Sequence, residues 1–221
     1  MRASGILLAA GKAERFGQDK VFLELGGVPV LVRAARAFQE AGAVEELVAV
    51  VRPGAELRAA ALLQDLEIPV RVVTGGPRRR DSSLAGVEAA RGEIVLIHDA
   101  ARPLVSPELI RRVLVAAEKH GAAVPVLPVV DTLRYAENDF LKPEVLPRAG
   151  LVAIQTPQGF RRELLLSALQ ECDEDLPDDA AALLSRGIPV ATVPGDLKNL
   201  KLTYPEDLLF AASLLQVENS W

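Results

Sequence analysis

Short apolar runs recur along the chain, each closed by glycine, proline or charge. Residues 5–10 (Gly-Ile-Leu-Leu-Ala-Ala), 45–51, 70–73, 94–97, 122–127 and 188–193 read as strands, and the continuous runs suit strands buried on both faces. Between them the apolar period lengthens to that of a helix. Leu31, Ala34, Ala35 and Phe38 mark a helix over 28–41, with Pro29 near its start and Gly42 past its end. Further helices are predicted from the Pro53-Gly54 turn to about 65, from a cap at Ser82 or Ser83 to about 91, over 107–120 behind an N-cap at Ser106, and over 161–171, 178–186 and 205–217. Strand alternating with helix means βαβ units, a parallel sheet and helices on both faces.

The alternation breaks between 129 and 160. Two β-like segments, 132–135 and 151–155, flank a polar connection with Asn138-Asp139, Pro143 and Pro147. That connection is too long for a tight hairpin, so residues of about 130–156 read as a protruding β-arm. Exposed strand edges commonly pair with a second subunit, so the arm predicts a homodimer.

Composition narrows the classes. With 221 residues the chain is expected to be a single domain spanning 1–221, and 50% hydrophobic residues suffice for a sizeable core. A net charge of −5 disfavours a general nucleic-acid binder. No apolar run reaches the roughly 18 residues of a membrane span, and no signal region is visible, so the expected location is cytoplasmic. The single cysteine, Cys172, has acidic neighbours, which disfavour a thiolate nucleophile.

The cations are clustered. The first strand opens into a loop framed by Gly11 and Gly17 that carries Lys12, Arg15 and Lys20. Glycine lets backbone N–H groups approach an anion, at the strand end where open α/β sheets bind ligands. It is not a P-loop, since Ala13 follows Gly11-Lys12, nor the dinucleotide fingerprint, whose second glycine is also replaced by Ala13. Residues 74–83, 98–103 and 195–203 follow strands too, and their convergence with the first loop favours an anion site over a solvated surface loop. Asp99, directly after an apolar strand, is a magnesium candidate, with an N-cap or turn role as the alternative. Arg102, three residues on, suits a second phosphate. His98 reads as a packed, hydrogen-bonded residue at the strand end and His120 as a surface group. Of Arg78, Arg79 and Arg80, at most one is expected to point inward. Alternation puts Lys201 and Thr203 on one side of an extended segment. Together these features predict magnesium-dependent phosphoryl or nucleotidyl transfer, driven by positioning and charge neutralisation.

In this order the motifs resemble the 2-C-methyl-D-erythritol 4-phosphate cytidylyltransferases of the isoprenoid pathway, nearly end to end. The resemblance rests on Ala9-Ala10-Gly11 with Arg15 and Lys20, Gly75-Gly76 with Arg79 and Ser82, His98-Asp99-Ala100-Ala101-Arg102-Pro103, Asp131-Thr132, Gln155-Thr156-Pro157-Gln158, and Asn199-Leu200-Lys201-Leu202-Thr203 with Pro205-Glu206-Asp207. It implies a Rossmann-like nucleotidyltransferase three-layer sandwich, mostly parallel, plus the arm. It also implies that CTP and methylerythritol phosphate give the CDP-alcohol and pyrophosphate. Carried over, Arg15 and Lys20 would hold the triphosphate and stabilise the transition state, with Lys201 the third catalytic cation. Ala9, Ala10, Gly11, Gly75, Gly76 and Ser82 would contact CTP, and Asp99 would bind Mg2+. Arg102, Thr156 and Lys201 would meet the acceptor phosphate region, joined by Thr132 and Arg148 from the partner's arm. Competing readings are a ribitol-5-phosphate cytidylyltransferase, a non-catalytic nucleotide-binding α/β protein and, a poor third, a dehydrogenase.

Overall fold

Strand and helix alternate through the first half of the chain. The structure is a computed structural model that describes residues 1–11, 16 and 19–218. In chain order the strands and helices are β1 (Ala3–Ala9), β2 (Glu24–Leu25), β3 (Val28–Pro29), α1 (Val30–Ala41), β4 (Glu46–Val51), α2 (Glu56–Leu63), β5 (Val70–Thr74), α3 (Arg79–Ala89), β6 (Ile94–Asp99), α4 (Pro107–His120) and β7 (Ala122–Pro128). They continue with β8 (Leu133–Glu137), β9 (Phe140–Leu146), β10 (Val152–Ile154), β11 (Gln158–Arg161), α5 (Arg162–Glu171), α6 (Ala180–Leu184), β12 (Ala191–Pro194) and α7 (Asp207–Glu218). Helix α4 has the ends its sequence specifies. Ser106 Oγ accepts from the Leu109 N–H at 3.2 Å, Pro107 opens the first turn, and Gly121 leaves it at φ 85°.

The main sheet runs β10-β7-β11-β6-β1-β4-β5, with β12 paired to β7. Strands β6, β1, β4 and β5 pair parallel, so their carboxyl ends share one rim. Side chains alternate between two cores. Leu7, Leu47 and Leu96 face α1, α2 and α4 through Leu31, Phe38, Leu63 and Ile110. Ile6, Val48, Val95 and Ile97 face α3, α5 and α6 through Val87, Leu165, Leu169 and Leu183. Two-sided burial explains the unbroken apolar runs, and the result is a three-layer sandwich. Phe38 and Phe160 are fully buried, one on each face. Truncating either to alanine costs about 3–5 kcal/mol. A third cluster, with Phe16, Leu25, Val30, Leu202 and Ala211, packs α7 against the β2–β3 hairpin.

Three features depart from the sequence reading. Strand β11 lies antiparallel between β6 and β7, where no strand was expected; only Phe160 in it is strongly apolar. Residues 151–155, expected in the arm, instead contribute β10 to the main sheet, antiparallel to Val126–Pro128 of β7. Ala123 pairs with both Gly159 and Ala191, so β12 occupies the other edge of β7 and leaves this edge to β10 and β11. Finally, β8 and β9 do form a tight hairpin. Asn138 and Asp139 make its two-residue turn at φ 49° and 67°, a left-handed geometry that Asn and Asp tolerate. The remaining length lies in β9 and the return to β10. Among the described residues no helix is long and apolar enough to cross a membrane.

Candidate active site

Four strand-end segments meet at the rim. A cleft of about 580 Å³ is lined by Ala9, Ala10 and Gly11 after β1, by Lys20, by Gly76, Pro77, Arg79 and Ser82 after β5, by Asp99 after β6, and by Lys201 and Thr203 after β12. Each segment is tied down locally. The first loop closes where Asp19 accepts from Arg52 Nε at 2.7 Å, and Phe16 is buried beside Leu202 in the third cluster. Helix α3 starts earlier than its serines suggest. Arg78 is the residue before its first turn, and the Asp81 carboxylate accepts from the Arg78 N–H at 3.3 Å. Ser82 and Ser83 therefore lie inside the helix rather than capping it. Gly75 sits beneath the cleft wall: a Cβ there would come within 2.7 Å of both Ala10 Cβ and Ser82 Oγ.

The segment bearing Lys201 is sewn to the end of β10. Gln155 donates to the Asp196 carbonyl at 2.9 Å and accepts from the Asp196 N–H at 3.0 Å. Asn199 Nδ2 donates to the Thr156 carbonyl at 2.7 Å, and the Leu202 N–H donates to the Ala101 carbonyl at 2.8 Å. Lys201 Nζ is thereby held 2.8 Å from Asp99.

Asp99 is the electrostatic centre. Besides Lys201 it has Arg79 at 3.5 Å and Arg102 at 4.0 Å. Burial opposes its charge, but Arg79, Lys201 and Arg102 together outweigh burial and hold the carboxyl well below the usual range. Arg79 is shared with the buried Asp179 at 2.8 Å. Burial raises the Asp179 carboxyl against the pull of Arg79. Burial also lowers His98, to about 4, so the ring is neutral at pH 7. Its Nε2 lies 3.1 Å from the Arg102 carbonyl and its Nδ1 3.0 Å from Thr156 Oγ1, as expected of a packed strand-end residue. An ionised hard carboxylate suits magnesium. Among the described residues no three His, Cys, Asp or Glu groups cluster, so the donor set fits a cation shared with phosphates rather than an all-protein cage.

The site residues named from sequence divide into three groups. Ala9, Ala10, Gly11, Lys20, Gly76, Ser82, Asp99 and Lys201 line one cleft. Gly75, Arg102 and Thr156 stand directly behind that wall. Thr132 and Arg148 lie exposed on the arm and its return, outside the lining residues, and Arg148 donates to the Val130 carbonyl. Arg15 lies outside the described residues. Of Arg78, Arg79 and Arg80 at most one was expected to point inward, yet Arg78 and Arg79 both line the cleft and Arg80 is buried against the Leu169 carbonyl, because α3 starts at Arg79 and carries the run along its first turn; Asp179 was passed over altogether. Asp179, one of two adjacent aspartates in an acidic stretch, carried no signal that set it apart.

The model of the family described as 2-C-methyl-D-erythritol 4-phosphate cytidylyltransferase matches residues 4–217. The chain belongs to this family. An enzyme of that description from Acidobacterium capsulatum is 42% identical over all of both chains. The bifunctional enzyme IspD/IspF of Anaeromyxobacter sp. (strain Fw109-5) is 45% identical over 97% of this chain, which spans 58% of that longer protein. The crystal structure of the cytidylyltransferase from Thermus thermophilus aligns with a TM-score of 0.83 at 37% identity, covering 98% of this chain and 100% of the other. The 4-diphosphocytidyl-2C-methyl-D-erythritol synthase of Anaerococcus prevotii gives 0.86 at 27% identity over 97% and 98%. The family's architecture is thus the mostly parallel, helix-covered sheet with its β8–β9 hairpin.

Proposed function

We propose that the chain is a cytoplasmic, magnesium-dependent cytidylyltransferase that moves CMP from CTP to 2-C-methyl-D-erythritol 4-phosphate, in non-mevalonate isoprenoid precursor biosynthesis. One observation carries this reading within a chain of that family: Lys20, Lys201, Arg79 and Asp99 converge on a single cleft at the carboxyl rim. An acceptor phosphate oxygen attacks the α-phosphorus of CTP. The new P–O bond forms as the α–β bridging bond breaks, and pyrophosphate leaves with the electron pair. The acceptor phosphate is already ionised at pH 7 and needs no base; His98, fully buried and bonded on both ring nitrogens, is not used as one. Lys20, with Arg15 beside it in the chain, holds the triphosphate and its developing charge, and Lys201 serves the acceptor side. Magnesium, when bound by Asp99 and the phosphates, supplies charge neutralisation. Arg102 suits an acceptor anion, since its buried Nε has no hydrogen-bond partner among the described residues.

The arm supports a homodimer. Tyr135, Phe140, Leu141 and Val145 are all exposed on it, and a two-stranded ribbon is marginal alone. In this reading Thr132 and Arg148 complete the partner's site.

Pyrophosphate release from CTP, with methylerythritol phosphate, with ribitol 5-phosphate and with neither, tests the reading. Release that requires methylerythritol phosphate is expected. Faster release with ribitol 5-phosphate reassigns the acceptor. CTP binding without release in any arm leaves a nucleotide-binding protein and contradicts catalysis.

A further inference from the structure

Behind Asp99 runs a chain of hydrogen bonds whose direction is fixed at every link. The Arg102 carbonyl can only accept, so His98 Nε2, 3.1 Å away, carries the ring hydrogen. His98 Nδ1 is then a lone pair, and it faces Thr156 Oγ1 at 3.0 Å. The Asp99 N–H can only donate, and it meets the same Oγ1 at 3.1 Å. Thr156 therefore accepts from Asp99 and gives its one hydroxyl hydrogen to His98. A phosphate oxygen needs a donor, and the Thr156 hydroxyl has no hydrogen left to offer. Both residues are buried, His98 at 0% and Thr156 at 4% exposure. Phe38 walls the imidazole, with ring centroids 5.6 Å apart. A second path closes the ring: Asn199 Nδ2 donates to the Thr156 carbonyl, and Arg102 Nη1 donates to the Asn199 carbonyl, each at 2.7 Å.

We propose that His98 and Thr156 are positioning residues that fix the backbone of Asp99 for the divalent cation, and that the Thr156 hydroxyl works from behind the site instead of binding the acceptor phosphate. This rests on the role given to Asp99 above. The hydroxyl takes the Asp99 N–H on the side away from β1, while on the other side the Ala100 N–H bonds the Leu8 carbonyl at 3.0 Å, so the end of β6 is held from both sides. The Asp99 carboxylate is then held in place amid three competing cations.

Four variants separate the links. Thr156→Val removes the hydroxyl and Thr156→Ser keeps it. His98→Asn puts an amide oxygen near Nδ1 and keeps the acceptor; His98→Gln puts an amide near Nε2 and loses it. Two quantities are read. One is the magnesium concentration for half-maximal rate, against the acceptor KM. The other is calorimetric CTP affinity with and without magnesium, with no acceptor present. Thr156→Val and His98→Gln are expected to raise the magnesium requirement about tenfold, the scale for groups that orient a metal ligand. They should shrink the magnesium-dependent gain in CTP affinity and leave the acceptor KM within about twofold. Thr156→Ser and His98→Asn should stay near the parent, and Thr156→Val with His98→Gln should be no worse than either alone. Should Thr156→Val fail to fold, the contrast between the two His98 variants carries the test. A rise in acceptor KM with an unchanged magnesium response, or equal losses in His98→Asn and His98→Gln, overturns the proposal. A parent that releases no pyrophosphate sinks the cytidylyltransferase reading instead, and the calorimetric arm still reports on Asp99.

Discussion

Asp99 and Arg148 are both site residues by resemblance, yet their surroundings are opposite. Asp99 is 13% exposed, boxed by Arg79, Arg102 and Lys201, and tethered through its backbone to Thr156. Arg148 is exposed, and its side chain donates to the Val130 carbonyl, also outside the main sheet. The rim is built within one chain, on the ends of buried parallel strands. The arm carries apolar side chains into water, with Phe140 77% and Leu141 71% exposed. The rim holds its charged groups in place through contacts within its own chain. A region that leaves apolar surface uncovered needs something else to pack on it. The rim gathers the charged groups of the proposed chemistry, and the arm offers the apolar surface of the proposed subunit contact.

Breaking the rim should have the largest effect. Lys20→Ala removes a preorganised charge and should lower kcat/KM by about 10²–10³, or roughly 3–4 kcal/mol, with the oligomeric state unchanged. A loss within about tenfold removes Lys20 from the mechanism. Acid reaches the rim too. His98 is lowered to about 4 from 6.5, so the unfolded chain binds the additional proton between those values. Its contribution to stability is complete above about pH 6.5 and is lost as pH falls toward 4, by about 3 kcal/mol. Denaturant unfolding should show that slope in the parent and a flatter one in His98→Asn; equal slopes would remove His98 as its source. Breaking the arm should act on association. In the proposed dimer, each of Phe140→Asp and Leu141→Asp should forfeit roughly 1.5–3 kcal/mol of apolar burial at the subunit contact. Sedimentation should show weakened dimers whose subunits keep the parent's far-ultraviolet dichroism. The smallest effect sharpens the contrast from outside both regions: Ser106→Ala deletes a helix cap and should cost about 1 kcal/mol of stability without moving kcat/KM.

Legibility followed the same division. The buried strands β1, β4, β5 and β6 announce themselves because two-sided burial demands unbroken apolar runs. The N-cap of α4 was legible to the residue, since Ser106 acts locally. Strand β11 was not, because its Gln-Gly-Phe-Arg sequence is held by neighbours on both sides and not by its own pattern. Ser82 and Ser83 misled because the carboxylate of Asp81 reaches back to Arg78 and starts α3 a turn earlier. At the site, Asp99 and Lys201 could be named from their strand-end positions. The Asp179 partner of Arg79 is 100 residues away in sequence, and only the fold brings the two within 2.8 Å.

The joining of rim and arm into one site is tested most directly by mixing Lys20→Ala and Arg148→Ala proteins under conditions of verified subunit exchange and following pyrophosphate release. Each variant alone is expected to be nearly inactive. Random exchange makes about half the dimers mixed, each with one intact composite site, so roughly a quarter of the parent rate should return. Verified exchange with no recovery would mean that the arm adds nothing to the partner's cleft.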